Sequence, residues 1–146
     1  MSTVSAASRA WVVLAVAVGG ALGTIVRYEV ARAEPPGAGH FPWATFAVNV
    51  IGSFVLGVAA TALVEPWPPA RFLRPFVAVG FCGGLTTFST WMVESVLLVR
   101  DDHAGRATLY LAVSLVAGFV AVVAGVWAAR VTLHRAPAGF DPRGDD

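Results

Sequence analysis

The chain has no lysine: all ten of its basic residues are arginine, and nine acids leave a net charge of +1. A nucleic-acid-binding domain needs a strongly basic patch, so no nucleic-acid partner is expected. Charge of either sign is scarce, at 13% of residues, where ordinary soluble domains carry about 25%. That scarcity argues against a soluble enzyme. The single cysteine, Cys82, excludes an internal disulfide and a cysteine-built metal site. His40, His103 and His134 fall in loops or at helix ends, without a carboxylate or cysteine at ligand spacing. There is no Walker loop and no nucleotide-binding glycine pattern, nor a repeat at a solenoid period. No enzyme is expected.

What the chain does have is apolar length. Hydrophobic residues make up 57% of its 146 positions, and the mean hydropathy is +0.72. Disorder is excluded by that composition, and the length allows one domain. The charges leave four long windows: Ala10–Val26, Phe41–Val64, Pro75–Val93 with an apolar continuation to Val99, and Ala107–Ala129. A bilayer core about 30 Å thick needs roughly 20 apolar residues of helix. The expectation is an all-α integral membrane protein with spans at about 10–30, 41–64, 75–99 and 107–130. Together they form one four-helix domain over residues 1–135, followed by a short polar tail at 136–146.

The first window admits a second reading, a secretory signal ending in the small residues Gly19–Gly23. A helix that stays in the membrane is the simpler one. Glu34–Gly39, the proline-bearing Glu65–Ala70 and Asp101–Gly105 separate the spans. With four spans, Arg9, Arg71, Arg74, Arg130, Arg135 and Arg143 share one side of the membrane, and Arg27, Arg32, Arg100 and Arg106 the other. The bias towards cytoplasmic termini is slight and compatible with insertion both ways.

Polar residues inside the windows carry the functional signal. Gly19 and Gly23 lie on one face of span one, as for a close helix contact, before Arg27 and Tyr28. Arg27 reads either as an interfacial side chain or as a cation at a pore mouth. Asn49 in span two must find a partner in hydrocarbon, either as interhelical glue or as a pore-lining group. Span three is the anomaly: Gly83-Gly84 and Thr86-Thr87 are poor helix formers in its middle. A helix broken at mid-membrane frees carbonyls that can coordinate a monovalent cation. Phe88, Ser89, Thr90 and Trp91 follow at once. Phe88 and Trp91 share a face, and aromatic edges are electropositive, so they can face a small anion without trapping it. Glu94 lies one turn beyond Thr90, either at the interface or orienting a pore group. Tyr110 and Ser114 share a face of span four. Ser114 can bond its own helix in the manner of helical hydroxyls, and Tyr110 reads as an interfacial-belt residue.

These residues together resemble the CrcB/Fluc family of small bacterial fluoride channels. The likeness covers Gly19-Gly20-Ala21-Leu22-Gly23 with Arg27-Tyr28, Thr45 to Asn49 with Gly52-Ser53, and above all Gly80 to Thr90 followed by Glu94. The resemblance implies a fluoride-selective channel in the bacterial inner (plasma) membrane, whose passive efflux lowers cytoplasmic fluoride and its toxicity. It implies an antiparallel, dual-topology homodimer with two pores along its interface; a paralogue of opposite orientation is the other possible partner. It implies a structural sodium ion at the dimer centre, held by the carbonyls of Gly83 and Thr86 from each subunit. Asn49 would match the pore asparagine and Phe88 the first of two pore phenylalanines. Ser89, Thr90, Tyr110 and Ser114 would supply hydroxyls, and Arg27 and Glu94 would match flanking charges. Trp91 departs from the pattern, standing where the second phenylalanine belongs, and Gly118 lacks a hydroxyl that some members carry nearby.

Two rivals are weighed against this. A small four-helix multidrug-type proton-coupled transporter needs a membrane-embedded carboxylate, and only Glu94 is available. A purely structural membrane protein leaves the interruption of span three unexplained.

Overall fold

The computed structural model describes residues 6–34, 39–63 and 70–134. The expected tail at 136–146 and most of the proline-bearing connection lie outside them. The elements are α1 (Ala6–Ala33), α2 (Trp43–Ala62), α3 (Ala70–Arg74), a π-helical stretch (Pro75–Phe81), α4 (Cys82–Leu85), α5 (Phe88–Arg100) and α6 (Ala104–His134). Four helical runs are long and apolar enough to cross a membrane: Ser8–Ala33, Trp43–Ala62, Arg71–Arg100 and Ala104–Leu133. The chain is a multi-pass membrane protein by that measure, and its surface agrees. Phe119, Trp127 and many other large apolar side chains point outward, as they must where lipid is the solvent.

The third run is one rod in sequence but holds four helical elements, α3, the π-helical stretch, α4 and α5. Pro75 has no N–H to return to the preceding turn, and the stretch after it widens to a π-helix, with the Cys82 N–H reaching the Val77 carbonyl. α4 closes the rod at Leu85, and α5 begins after Thr86 and Thr87.

Glycine sets how the rods touch. A Cβ on Gly19 would collide with the Phe76 carbonyl oxygen, and one on Gly84 with that of Gly20. α1 therefore lies backbone against backbone on the π-helix and α4. Gly57 and Gly125 make the same approach between α2 and α6, against the carbonyls of Val122 and Phe54. Dispersion between closely fitted backbones replaces the hydrophobic drive that lipid removes.

One end of the bundle is held by polar clasps. Glu34, past the end of α1, caps α2: its carboxylate accepts from the Trp43 N–H at 2.7 Å and the Ala44 N–H at 3.1 Å. The N-cap position itself is Pro42, which has no side chain for the task. α5 ends with Asp102 in the left-handed region, φ 62°. The His103 N–H then returns to the Leu98 carbonyl at 2.8 Å and the Asp102 N–H to that of Val99 at 3.2 Å, the bonding of a Schellman cap. Arg106 donates to the Gly39 carbonyl across the same end. Beneath the clasps Trp91, Leu98, Ala107 and Tyr110 form a buried cluster, flanked by Phe41, Phe46, Met92 and Leu111.

Candidate functional site

Thr86 and Thr87 are extended, at φ/ψ −80°/153° and −148°/125°. Two extended residues cut the i to i+4 ladder, so the backbone groups on either side need other partners. The Thr86 N–H still closes on the Cys82 carbonyl at 2.9 Å, joined there by its own hydroxyl at 2.9 Å. The Thr87 N–H turns away to Asn49 Oδ1 at 2.8 Å, while Asn49 Nδ2 donates back to the Thr87 carbonyl at 3.1 Å. Arg27 Nε donates to the Gly84 carbonyl at 3.1 Å. Thr87 then caps α5, its Oγ1 accepting from the Thr90 N–H at 3.2 Å.

The same bookkeeping shows what is left over. In an unbroken helix the Gly83 carbonyl would accept from Thr87 and the Thr86 carbonyl from Thr90. Both N–H groups are engaged elsewhere, so these two carbonyls lose their helix partners, as the Leu85 carbonyl does across the same break. A Cβ on Gly83 would meet nothing within 4 Å, so its Cα borders open space, and the residue lines the neighbouring pocket.

Beside the break lies a pocket of about 460 Å³ between α2, α5 and α6. Asn49, Phe88, Trp91 and Ser114 line it, with Ser53, Thr86, Thr87 and Gly118. Phe88 is 70% exposed and stands edge to face with Trp91, centroids 5.5 Å apart and planes at 65°. Trp91 is buried, and its Nε1–H has no partner among the described residues, nor has the buried hydroxyl of Ser114. Ser89 and Thr90 gather around the Thr87 hydroxyl, which lies 3.3 Å from Ser89 Oγ and donates to Thr90 Oγ1 at 3.0 Å.

Of the expected pathway residues, Arg27, Ser89, Thr90, Glu94 and Tyr110 lie outside the pocket lining. Arg27 braces the break from the α1 side. Glu94 accepts from the Thr45 hydroxyl at 2.8 Å through Oε1 and from the Tyr110 hydroxyl at 2.8 Å through Oε2. Tyr110 is wholly buried, which corrects its reading as an interfacial-belt residue. Its ring meets Trp91 at 6.5 Å and Phe41 at 5.1 Å, both edge to face. The carboxylate, the two hydroxyls and these rings therefore form a backing behind Trp91. With both oxygens partnered, Glu94 is not a bare interfacial charge, and its other reading, as a group that orients its neighbours, stays open.

Sequence reasoning left three contributors without a role: Thr45, Thr87 and Ser53. Thr45 sits one helical turn before Asn49 and shares its face. Thr87 is a threonine opening a helix, the usual N-cap signal.

The family model described as "CrcB-like protein, Camphor Resistance (CrcB)" matches residues 14–126. The chain belongs to this family. It is 47% identical over 118 residues to "Fluoride-specific ion channel FluC" of Chlorobium luteolum, a match covering 81% of this chain and 92% of that relative. Over 127 residues it is 45% identical to "Fluoride-specific ion channel FluC 3" of Streptomyces avermitilis, covering 87% of this chain but 62% of that longer relative. "Fluoride-specific ion channel FluC 1" of Mycobacterium tuberculosis is 42% identical over 122 residues, covering 83% of this chain and 92% of the relative. The CrcB-like match takes in the break, Asn49, the pocket and the Glu94–Tyr110 backing.

Proposed function

We propose that this CrcB-like chain is a fluoride-selective ion channel, not an enzyme, giving passive fluoride efflux across the bacterial inner membrane. The observation that carries the reading is the break at Thr86–Thr87, clasped by Asn49 beside a pocket lined by aromatic side chains and hydroxyls. The names borne by the relatives support it.

Fluoride is strongly hydrated, so a path through lipid must return hydrogen bonds as it removes water. The pocket offers Asn49, Ser114 and the ring of Phe88, and the Ser89 and Thr90 hydroxyls gather on Thr87, which lines it. The first N–H groups of α5 point out of the helix start and favour negative charge. No guanidinium is among the lining groups, so nothing there holds the ion as a full countercharge would. The Glu94 carboxylate is kept behind Trp91 by two hydroxyl donors, where it orients Tyr110 and Thr45 rather than meeting the anion.

The break is read as lying near mid-membrane, and the working unit as an antiparallel, dual-topology homodimer. A paralogue of opposite orientation is the alternative partner. The freed carbonyls of Gly83 and Thr86 suit a sodium ion, being neutral, hard oxygen donors. Two such groups are few for one cation, and a second chain would double them. A sodium ion so held would neutralise the inward dipoles of the break and fix its shape.

A proton-coupled multidrug transporter is not favoured. Its embedded carboxylate has to be free for a proton or cation, and Glu94 is engaged on both oxygens.

Fluoride release from liposomes holding the purified protein, followed with a fluoride electrode and with chloride as control, tests the reading. Rapid fluoride release without chloride release is expected. No release from a well-folded sample, alone or co-reconstituted with an oppositely oriented paralogue, would refute it.

A further inference from the structure

Most helical hydroxyls in this chain are satisfied within their own helix. Thr61, Thr86, Ser95, Thr108 and Thr132 each donate to the carbonyl four residues back, at 2.7 to 3.1 Å. Back-bonding of this kind is the default for serine and threonine in apolar helices. Three described serine and threonine hydroxyls make no hydrogen bond to any described residue: Thr24, Ser53 and Ser114. Thr24 sits on the exposed face of α1. Ser53 and Ser114 line the same pocket from α2 and α6.

Ser53 lies one turn beyond Asn49, on the same face of α2. Asn49 is largely taken up by the Thr87 peptide, so below it Ser53 is the next donor on α2. Opposite stands Gly118, one turn beyond Ser114 on α6. A Cβ built there would come 3.7 Å from Ser53 Oγ, an ordinary contact, so the Ser53 hydroxyl faces the gap that glycine leaves.

We propose that Ser53 donates its hydroxyl to the permeating anion, paired with Ser114 across the α2–α6 wall of the pocket. The inference rests on the fluoride-channel reading and deepens it by adding a pathway residue. The buried Ser114 hydroxyl is costly to leave unpaired, that of Ser53 opens on the same pocket without a partner, and a hydrated or partly dehydrated anion in the gap gives both one. Gly118 has its part in this: its missing side chain keeps the space opposite Ser53 open.

The test compares fluoride release from liposomes for the parent, Ser53→Ala, Ser53→Thr, Gly118→Ser and the Ser53→Ala/Gly118→Ser double variant. Hydrogen bonds to charged groups are strong enough that losing one slows permeation about tenfold, so Ser53→Ala is expected to fall by that order. Ser53→Thr, which keeps the hydroxyl, is expected to conduct. The double variant is expected to recover, because it returns a hydroxyl to the same gap from the facing helix. A merely structural serine would not be rescued from the other side. Parent release with unchanged Ser53→Ala release would overturn the proposal and leave the channel reading standing. So would a slow double variant beside a conducting Gly118→Ser, or loss of release in Ser53→Thr as in Ser53→Ala. No release from the parent would instead bring down the channel reading, and this inference with it.

Discussion

Asn49 grips both ends of the Thr87 residue, accepting its N–H at 2.8 Å and donating to its carbonyl at 3.1 Å. The side chain takes the place of the helix neighbours that the break removes. Asn49→Ala would strand both backbone groups. Each such loss costs about 1–3 kcal/mol where the group stays buried. A lower melting temperature in detergent and loss of fluoride release are expected together. Asn49→Asp keeps the acceptor and removes the donor, so it should melt between parent and Asn49→Ala and still fail to conduct. An Asn49→Ala chain as stable as the parent would show that the clasp does not hold the break.

The close glycines make a second prediction, about folding alone. Gly84→Ala would drive a methyl into the Gly20 carbonyl, which is backbone and cannot swing aside. Overpacking of this kind costs about 1–3 kcal/mol. Gly105→Ala is the control: nothing lies within 4 Å of its Cβ position, and alanine favours helix over glycine. Size-exclusion and thermal-shift measurements should find Gly84→Ala poorly folded and Gly105→Ala no worse than the parent. Equal behaviour of the two would mean that α1 and α4 do not meet through their backbones.

Glu94 is the hub of the third prediction. Its two oxygens are shared between Thr45 and Tyr110. Tyr110→Phe removes one donor, Thr45→Val the other, and each leaves half of a membrane-embedded carboxylate unsatisfied. Each should lower stability by about 1–3 kcal/mol. The double variant should depart from the sum of the two, because they act through one carboxylate. Strict additivity in a double-mutant cycle of melting measurements would break the hub.

How much of this was legible in the sequence follows from what carries each feature. The four spans are written in the gaps between charges, because only length and apolarity matter to lipid. The interruption of span three showed in Gly83-Gly84 and Thr86-Thr87, whose poor helix propensity is local. Its partners did not show. Asn49 left both of its open readings standing; in the structure it clasps Thr87 and borders the pocket beside the break. Nothing local to Arg27 says that it meets Gly84, 57 residues away. The capping of α2 by Glu34 was equally hidden, since the acid lies past the end of another helix and Pro42 masks the usual signal. Tyr110 was ambiguous for a related reason. A tyrosine near a span end suits an interface, and only the arrival of Glu94 and Phe41 from other elements buries it. The π-helical widening after Pro75 also escaped, because proline marks a disturbance without saying which form it takes.

Phe88 and Trp91 share an edge-to-face contact but differ in burial, which separates their expected variants. Phe88 is 70% exposed, so Phe88→Ile should fold as the parent does. It replaces an electropositive ring edge with aliphatic carbon, and fluoride release should fall. Unimpaired release from Phe88→Ile would remove the ring edge from the path.

Trp91 is the chain's departure from the two-phenylalanine pattern that the resemblance implies, and it is packed tightly, 8% exposed, against Tyr110 and Phe88. Its buried Nε1–H finds no partner among the described residues, so the indole carries an unsatisfied donor at the wall of the pocket. Trp91→Phe removes that donor and some ring volume, while keeping an electropositive edge in place. The lost packing and the removed orphan donor act in opposite directions, so stability should move by no more than about 1 kcal/mol. Transport should not stay still. A narrower ring enlarges the pocket that Phe88 and Ser114 line, and fluoride release from Trp91→Phe liposomes should exceed that of the parent at equal protein density. Release at the parent rate would mean that the tryptophan serves the core cluster with Leu98, Ala107 and Tyr110 and leaves the ion's passage untouched.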